Sequence, residues 1–284
     1  MIFKPNCRDE LKEAVDIYTN NKEHGIELYG IINTWDVSSV EDMTSLFEDN
    51  KNFNEDISNW DTSSVKKMKW MFCNAESFNQ CLNRWDTSKV KLMWSMFKGA
   101  KSFNQPLDSW DTSKVKSMSR MFEGAKSFNQ PLGSWNTSNV QGMVSMFENA
   151  KNFNQPLGSW DTSKVQDMKN MFGKAESFNQ PLDSWNTSKV ENMMSMFCGA
   201  KSFNQPLGSW NTSKVMSMGC MFLGAKNFNQ PLENWNISNV KYVHVMFLET
   251  DSMLRTFPNL KETPDTSSWK ENFNRAKPTK GARH

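Results

Sequence analysis

Five aspartates, Asp36, Asp61, Asp86, Asp111 and Asp161, each follow a tryptophan directly and stand two residues before a serine. Asn136, Asn186, Asn211 and Asn236 take the same place after four further tryptophans. A row of carboxylates could hold a cation or a basic partner. Stacked about 4.8 Å apart, such carboxylates would repel by roughly 1 kcal/mol even in bulk water. Asparagine replaces aspartate freely in the row, however, and D-T-S is the chemistry of an Asx turn, whose side chain caps nearby amides. The row therefore predicts turns.

The other chemistry-bearing residues are sparse. The histidines are His24, His244 and His284, too scattered for a multi-histidine metal site or histidine-centred catalysis. The cysteines are Cys7, Cys73, Cys81, Cys198 and Cys220, an odd count with no C-x-x-C pair. That pattern is neither a disulfide framework nor a zinc signature. No nucleophile–base constellation and no glycine-rich phosphate loop is present. The expectation is a protein without enzymatic activity, cofactor or metal. Two aromatic residues stand outside any core pattern, Trp70 and Trp94, and exposed tryptophans are hot-spot candidates for partner binding.

What must position these groups is a repeat. Trp35, Trp60, Trp85, Trp110, Trp135, Trp160, Trp185, Trp210 and Trp235 recur every 25 residues. With tryptophan as position 0, the unit reads W-D/N-T-S-x-V-x-x-M-x-x-M-F-x-x-A-x-x-F-N-Q-P-L-x-S. Of 20 Met, eight lie at position 8 (Met43 to Met218) and eight at position 11 (Met71 to Met246). Of 20 Phe, nine lie at position 12 and eight at position 18. Trp60, Trp85, Trp110, Trp135, Trp160, Trp185 and Trp210 are expected in the core. Such self-similarity at a fixed period marks a stack of units, none of which buries enough apolar surface to fold alone.

Within each unit, Val, Met, Met-Phe and Ala at positions 5, 8, 11, 12 and 15 carry the spacing of one helix face. Serine at position 3 is a good N-cap. Gly or Asn at position 14 tolerates the left-handed conformation that ends a helix. This predicts a helix of about ten residues. Proline at position 21 belongs before a ladder rather than inside one, so a short strand is expected at L-x-S-W-D/N-T, for example 107–112. The expected fold class is an α/β repeat: an LRR-like solenoid of about nine 25-residue coils, each a short parallel strand plus a short helix, with an N-terminal helical cap. At about 4.8 Å per coil the stack would be roughly 45 Å long.

Asn79, Asn104, Asn129, Asn154, Asn179, Asn204 and Asn229 share position 19, and glutamine follows each. Identical amides in adjacent coils form a structural ladder; a catalytic group is needed once, whereas these recur in every coil. Val144, Met194 and His244 share position 9 with Trp94 and could extend an apolar stripe. Lysines recur at position 4 (Lys89, Lys114, Lys164, Lys189, Lys214) and at position 16. Such lines are usually solvated faces, since a nucleic-acid groove needs interleaved aromatics. With 33 basic against 31 acidic residues the net charge is only +2, and no overall field draws the chain to nucleic acid or an anionic membrane.

Residues 1–34 read as a capping segment, with Leu11, Val15 and Tyr18 at helical spacing. Residues 35–259 read as the repeat array and 260–284 as a polar tail. The amino terminus carries no apolar run of signal-peptide or membrane-span length, so a cytoplasmic or virion-associated location is expected.

The repeat motif, over about 225 of the 284 residues, resembles that of BspA-like leucine-rich-repeat surface proteins of the mycoplasma-lipoprotein type. Related arrays are frequent in giant DNA viruses. The resemblance implies an LRR-like solenoid and adhesion or protein binding. The expected function is a non-enzymatic protein-interaction or adhesion-type scaffold, with Trp70, Trp94, Val144 and Met194 as candidate contacts and a protein of unknown identity as partner. The alternative is a structural component of a virion or other large assembly, whose repeated faces pack against neighbours.

Overall fold

The computed structural model describes residues 2–256. The tail expected at 260–284 lies outside them. Helix α1 spans Arg8–Asn20 and α2 spans Lys22–Tyr29. A single 3-10 turn, Ile32–Thr34, leads into eight full 25-residue coils from Trp35 and a ninth from Trp235 that runs into α3, Asp251–Thr256.

The coils do stack, but not as strand and helix. In the coil that begins at Trp110, the backbone N–H groups of Met121, Glu123 and Ala125 donate to the carbonyls of Met118, Arg120 and Phe122, three residues back, at 3.2, 3.3 and 3.0 Å. The residues between them turn outward. Met118, Arg120, Phe122 and Gly124 donate to Gly142, Val144, Met146 and Glu148 of the next coil, at 3.0, 2.8, 2.9 and 2.7 Å. A helix needs every one of these amides for bonds four residues back. Here half of them tie coil to coil, and the segment is a staircase of turns.

The backbone dihedrals carry the same message. Position 10 is left-handed in all nine coils, with φ from 46° at Val245 to 59° at Ser45, and so is position 14, from 56° at Lys174 to 70° at Gly124. The Gly and Asn residues at position 14 were expected to end a helix. They instead close one of two left-handed corners in a path that was never helical.

The expected strand fails for a related reason. Residues 107–112 contain a turn in which Trp110 N–H donates to the Leu107 carbonyl at 3.2 Å. Parallel pairing appears at position 7, as single bridges such as Ser117↔Gly142 and Gly142↔Asp167. Between Trp35 and Thr250 no residue lies in an α-helix or an extended strand. The strand-plus-helix solenoid inferred from the spacing is therefore corrected to a column of turn-built coils. Apolar residues three and four apart define one face of a chain of turns as well as one face of a helix, so periodicity alone does not separate the two.

The core runs through the column as aromatic and methionine files. Trp35 to Trp235, the position-12 and position-18 phenylalanines, both methionine positions, Val, Ala and Leu are buried. Within one coil Phe122 and Phe128 lie 4.0 Å apart. Between coils, Phe122–Phe147, Phe128–Phe153 and Trp135–Trp160 are spaced 5.7, 6.0 and 6.5 Å. Hydrogen-bonded parallel backbones sit about 4.8 Å apart. The spacing thus widens from ladder to tryptophan edge, and successive coils are related by rotation as well as translation.

The first coil has no coil beneath it. Leu11, Ala14, Val15 and Tyr18 of α1 are buried against it, and the Tyr18 and Trp35 rings meet edge to face at 5.7 Å. The Arg8 Nε donates to the Thr44 carbonyl at 2.8 Å. In later coils the equivalent carbonyl accepts from the coil before, as Lys69 does from Ser45 N–H at 3.1 Å. A guanidinium thus replaces the missing amide. At the other end Met253 of α3 is buried, and Thr250 Oγ1 donates to the Phe222 carbonyl at 2.7 Å.

Candidate functional site

The repeated polar residues are absorbed by the architecture. Asn104 Oδ1 accepts the backbone N–H of Asn129 at 2.9 Å and the Gln130 Nε2 at 3.1 Å. The same Asn-to-Asn bond runs through Asn79, Asn104, Asn129, Asn154, Asn179, Asn204 and Asn229, each 2.9 Å. Thr112, buried, donates its hydroxyl to the Asn136 carbonyl at 3.0 Å. From Trp60 to Trp235 each core indole N–H donates to the carbonyl 28 residues back, as from Trp135 to Leu107 at 2.9 Å.

The aspartate row is spent on turns. Asp61, Asp86, Asp111 and Asp161 accept the backbone N–H two residues on, at 3.0, 2.9, 2.8 and 2.9 Å. Asn136, Asn186, Asn211 and Asn236 do the same at 3.1, 3.1, 3.0 and 3.0 Å. The bond from Ser88 holds the Asp86 carboxyl below its ordinary range, and that from Ser163 does so for Asp161. Among the described residues no group of three or more His, Cys, Asp or Glu could hold a metal ion. Cys73 is buried and its thiol is pushed up to about 11 by that burial; burial raises Cys198 as well. Neither is poised as a thiolate nucleophile.

What remains unspent is the outer side of the turn staircase. Positions 8, 11 and 12 point into the core, and positions 6, 7, 9, 10 and 13 stay at least partly open in most coils, with Ser95, Ser145, Cys73 and Ser217 among the buried exceptions. Trp70 and Trp94 lie here, both half-buried, their ring centroids 4.0 Å apart in an edge-to-face arrangement with an interplanar angle of 69°. Their backbones are neighbours as well, with Trp70 N–H donating to the Trp94 carbonyl at 3.3 Å. Trp70 occupies a left-handed corner at φ 57°, which aims its ring at the following coil. The Lys69 Nζ sits 5.4 Å from the Trp70 ring and 5.6 Å from the Trp94 ring. Both distances are within cation–π range.

The structure thus joins two of the four expected contact residues. Val144 and Met194 are half-buried in the Trp94 column, but Ser119 stands between Trp94 and Val144, and Lys169 between Val144 and Met194. The apolar stripe is therefore interrupted. Lys69 is the residue that sequence reasoning missed. It lies 25 residues before Trp94 and directly before Trp70, so the repeat register already places it beside both.

No helix among the described residues is long and apolar enough to cross a membrane. The chain matches no curated protein. Three matches to one repeat family, over residues 16–125, 105–199 and 180–282, take in both the array and the segment leading into it. The chain therefore belongs to the family described as "Mycoplasma protein of unknown function, DUF285".

Proposed function

We propose that this chain is a non-enzymatic scaffold that binds a protein partner on the outer side of the staircase, at Trp70 and Trp94. The observation that carries the reading is the contact of two large aromatic side chains outside the core register, half open to solvent, with a cation beside them. Tryptophans in such settings carry much of the binding energy at protein interfaces. The buried files and amide ladders hold the coils rigid, so the pair is presented without an ordering cost. The resemblance to BspA-like surface proteins supports adhesion-type binding in particular.

Packing in a virion or other large assembly is the competing reading. It draws on the repeated, nearly identical outer columns of the middle coils. Affinity capture with chemical cross-linking separates the two, using the wild type and a Trp70→Ala/Trp94→Ala variant whose fold is checked by circular dichroism. Loss of a cross-linked partner in the variant supports the hot spot. Unchanged capture removes it and favours the assembly role.

A further inference from the structure

The outer side of the staircase is zoned by charge. In the first coil, residues 41–49 hold four acidic residues and no basic one. In the next three coils, residues 66–74, 91–99 and 116–124 together hold seven basic residues against Glu123 alone. The same segments of the remaining five coils hold three basic and four acidic residues. On this face the positive charge is thus concentrated on three adjacent coils, around the two outer tryptophans.

Part of that charge is neutralised. Lys66 and Lys67 pair with Glu41 and Asp42 of the first coil at 2.7 and 3.0 Å. Lys98 and Arg120 share Glu123 at 3.1 and 3.6 Å. Lys69, Lys91 and Lys116 have no carboxylate within ion-pair distance among the described residues. Lys91 and Lys116 are exposed, at position 6 of consecutive coils, and Lys69 lies over the tryptophan pair. Lys91 and Lys116 are one coil apart in their column, about 4.8 Å at the backbone, and Lys69 stands three positions along the chain from that column, in the coil before Lys91.

We infer that this patch binds an acidic polypeptide segment carrying an apolar side chain, its carboxylates on Lys69, Lys91 and Lys116 and its apolar group on the Trp70–Trp94 pair. The inference rests on the protein-binding reading above and specifies the partner's chemistry. A polypeptide fits better than single-stranded nucleic acid. The two indoles pack against each other as one small platform, whereas base stacking along a strand calls for separate platforms spaced along the backbone.

The test is fluorescence anisotropy with a labelled glutamate-rich peptide containing one phenylalanine, its glutamine counterpart, and an oligothymidylate of matched charge. The glutamate peptide is expected to bind and the glutamine peptide not to. Its affinity should fall about tenfold or more as salt rises from roughly 50 to 200 mM, as screening of exposed charges requires. Lys69→Gln/Lys91→Gln/Lys116→Gln should weaken it about tenfold or more. Lys189→Gln/Lys214→Gln, in the position-4 column, should leave it unchanged.

Absence of peptide binding, or equal binding to both variants, overturns the inference. Tighter, tryptophan-dependent binding of the oligothymidylate overturns it in favour of nucleic acid. If the peptide fails while Trp70→Ala/Trp94→Ala still abolishes partner capture, only the acidic specificity is lost. If capture is indifferent to the tryptophans as well, the protein-binding site falls too.

Discussion

The amide oxygen of Asn104 receives the backbone N–H of Asn129, one coil further on, at 2.9 Å. Each coil in the middle of the stack repeats this bond, and a glutamine side chain joins it on the same oxygen. The side chain does the work that a backbone carbonyl does in a sheet. It stitches the coils together on the side away from the staircase.

Asn129→Ala removes an oxygen that holds two donors, Asn154 N–H at 2.9 Å and Gln155 Nε2 at 3.1 Å. The site is partly buried, so the cost is expected at about 1–3 kcal/mol. Asn129→Asp keeps an acceptor oxygen and should lose less. Urea denaturation of the two variants checks the order.

Trp135→Phe keeps most of the buried ring but removes the indole N–H that donates to the Leu107 carbonyl at 2.9 Å, leaving that carbonyl with Trp110 N–H at 3.2 Å. A loss of about 0.5–1.5 kcal/mol is expected from the one lost hydrogen bond. Phe122→Ala, in contact with Phe128 and Phe147, should cost about 3–5 kcal/mol. Because each coil touches only its neighbours, hydrogen exchange should accelerate most in the coils next to the lesion and least at the far end.

Left-handed corners favour glycine. At Gly99, with φ 69°, an added Cβ would run into the Asn74 Oδ1, so Gly99→Ala should be clearly destabilising. Lys174 holds the equivalent corner at φ 56° with a side chain that is exposed. Lys174→Gly relieves the left-handed penalty and should stabilise by up to about 1 kcal/mol. Thermal melts of the two variants should shift in opposite directions.

Glu176 sits between Lys201 at 2.6 Å and Lys151 at 2.9 Å. The Lys201 bond first, then Lys151, lowers its carboxyl from 4.5 to about 2. The folded value lies below the unfolded one, so the stability it contributes is present above about 4.5 and is lost as pH falls towards 2. The pairs are at the surface and screened, which limits the effect to below about 1 kcal/mol. Glu176→Gln should lower the unfolding midpoint slightly at neutral pH and leave it unchanged near the acid limit, as denaturant titrations at several pH values will show.

The lysine and aspartate rows show how far a repeat can be read residue by residue. The eight Asp and Asn residues from Asp61 to Asn236 that cap the second following amide were legible from D-T-S, because an Asx turn is a local event. The burial of tryptophan, methionine and phenylalanine was legible because identical apolar residues every 25 positions have nowhere to go but a common column. The pairing of Lys69 with two tryptophans needed register as well as period, since one partner is a neighbour in sequence and the other is a neighbour only across the stack.

From the sequence alone came the 25-residue period, the buried files, the asparagine ladder and the place of Trp70 and Trp94 outside the core register. Tertiary structure alone decided the backbone path. Residues 118–124 have the apolar spacing of a helix and an N-capping serine upstream, yet their alternate amides find acceptors in the next coil. Once a neighbouring coil supplies those carbonyls, bonds between coils replace bonds along a helix, and two left-handed corners per coil are what that exchange requires.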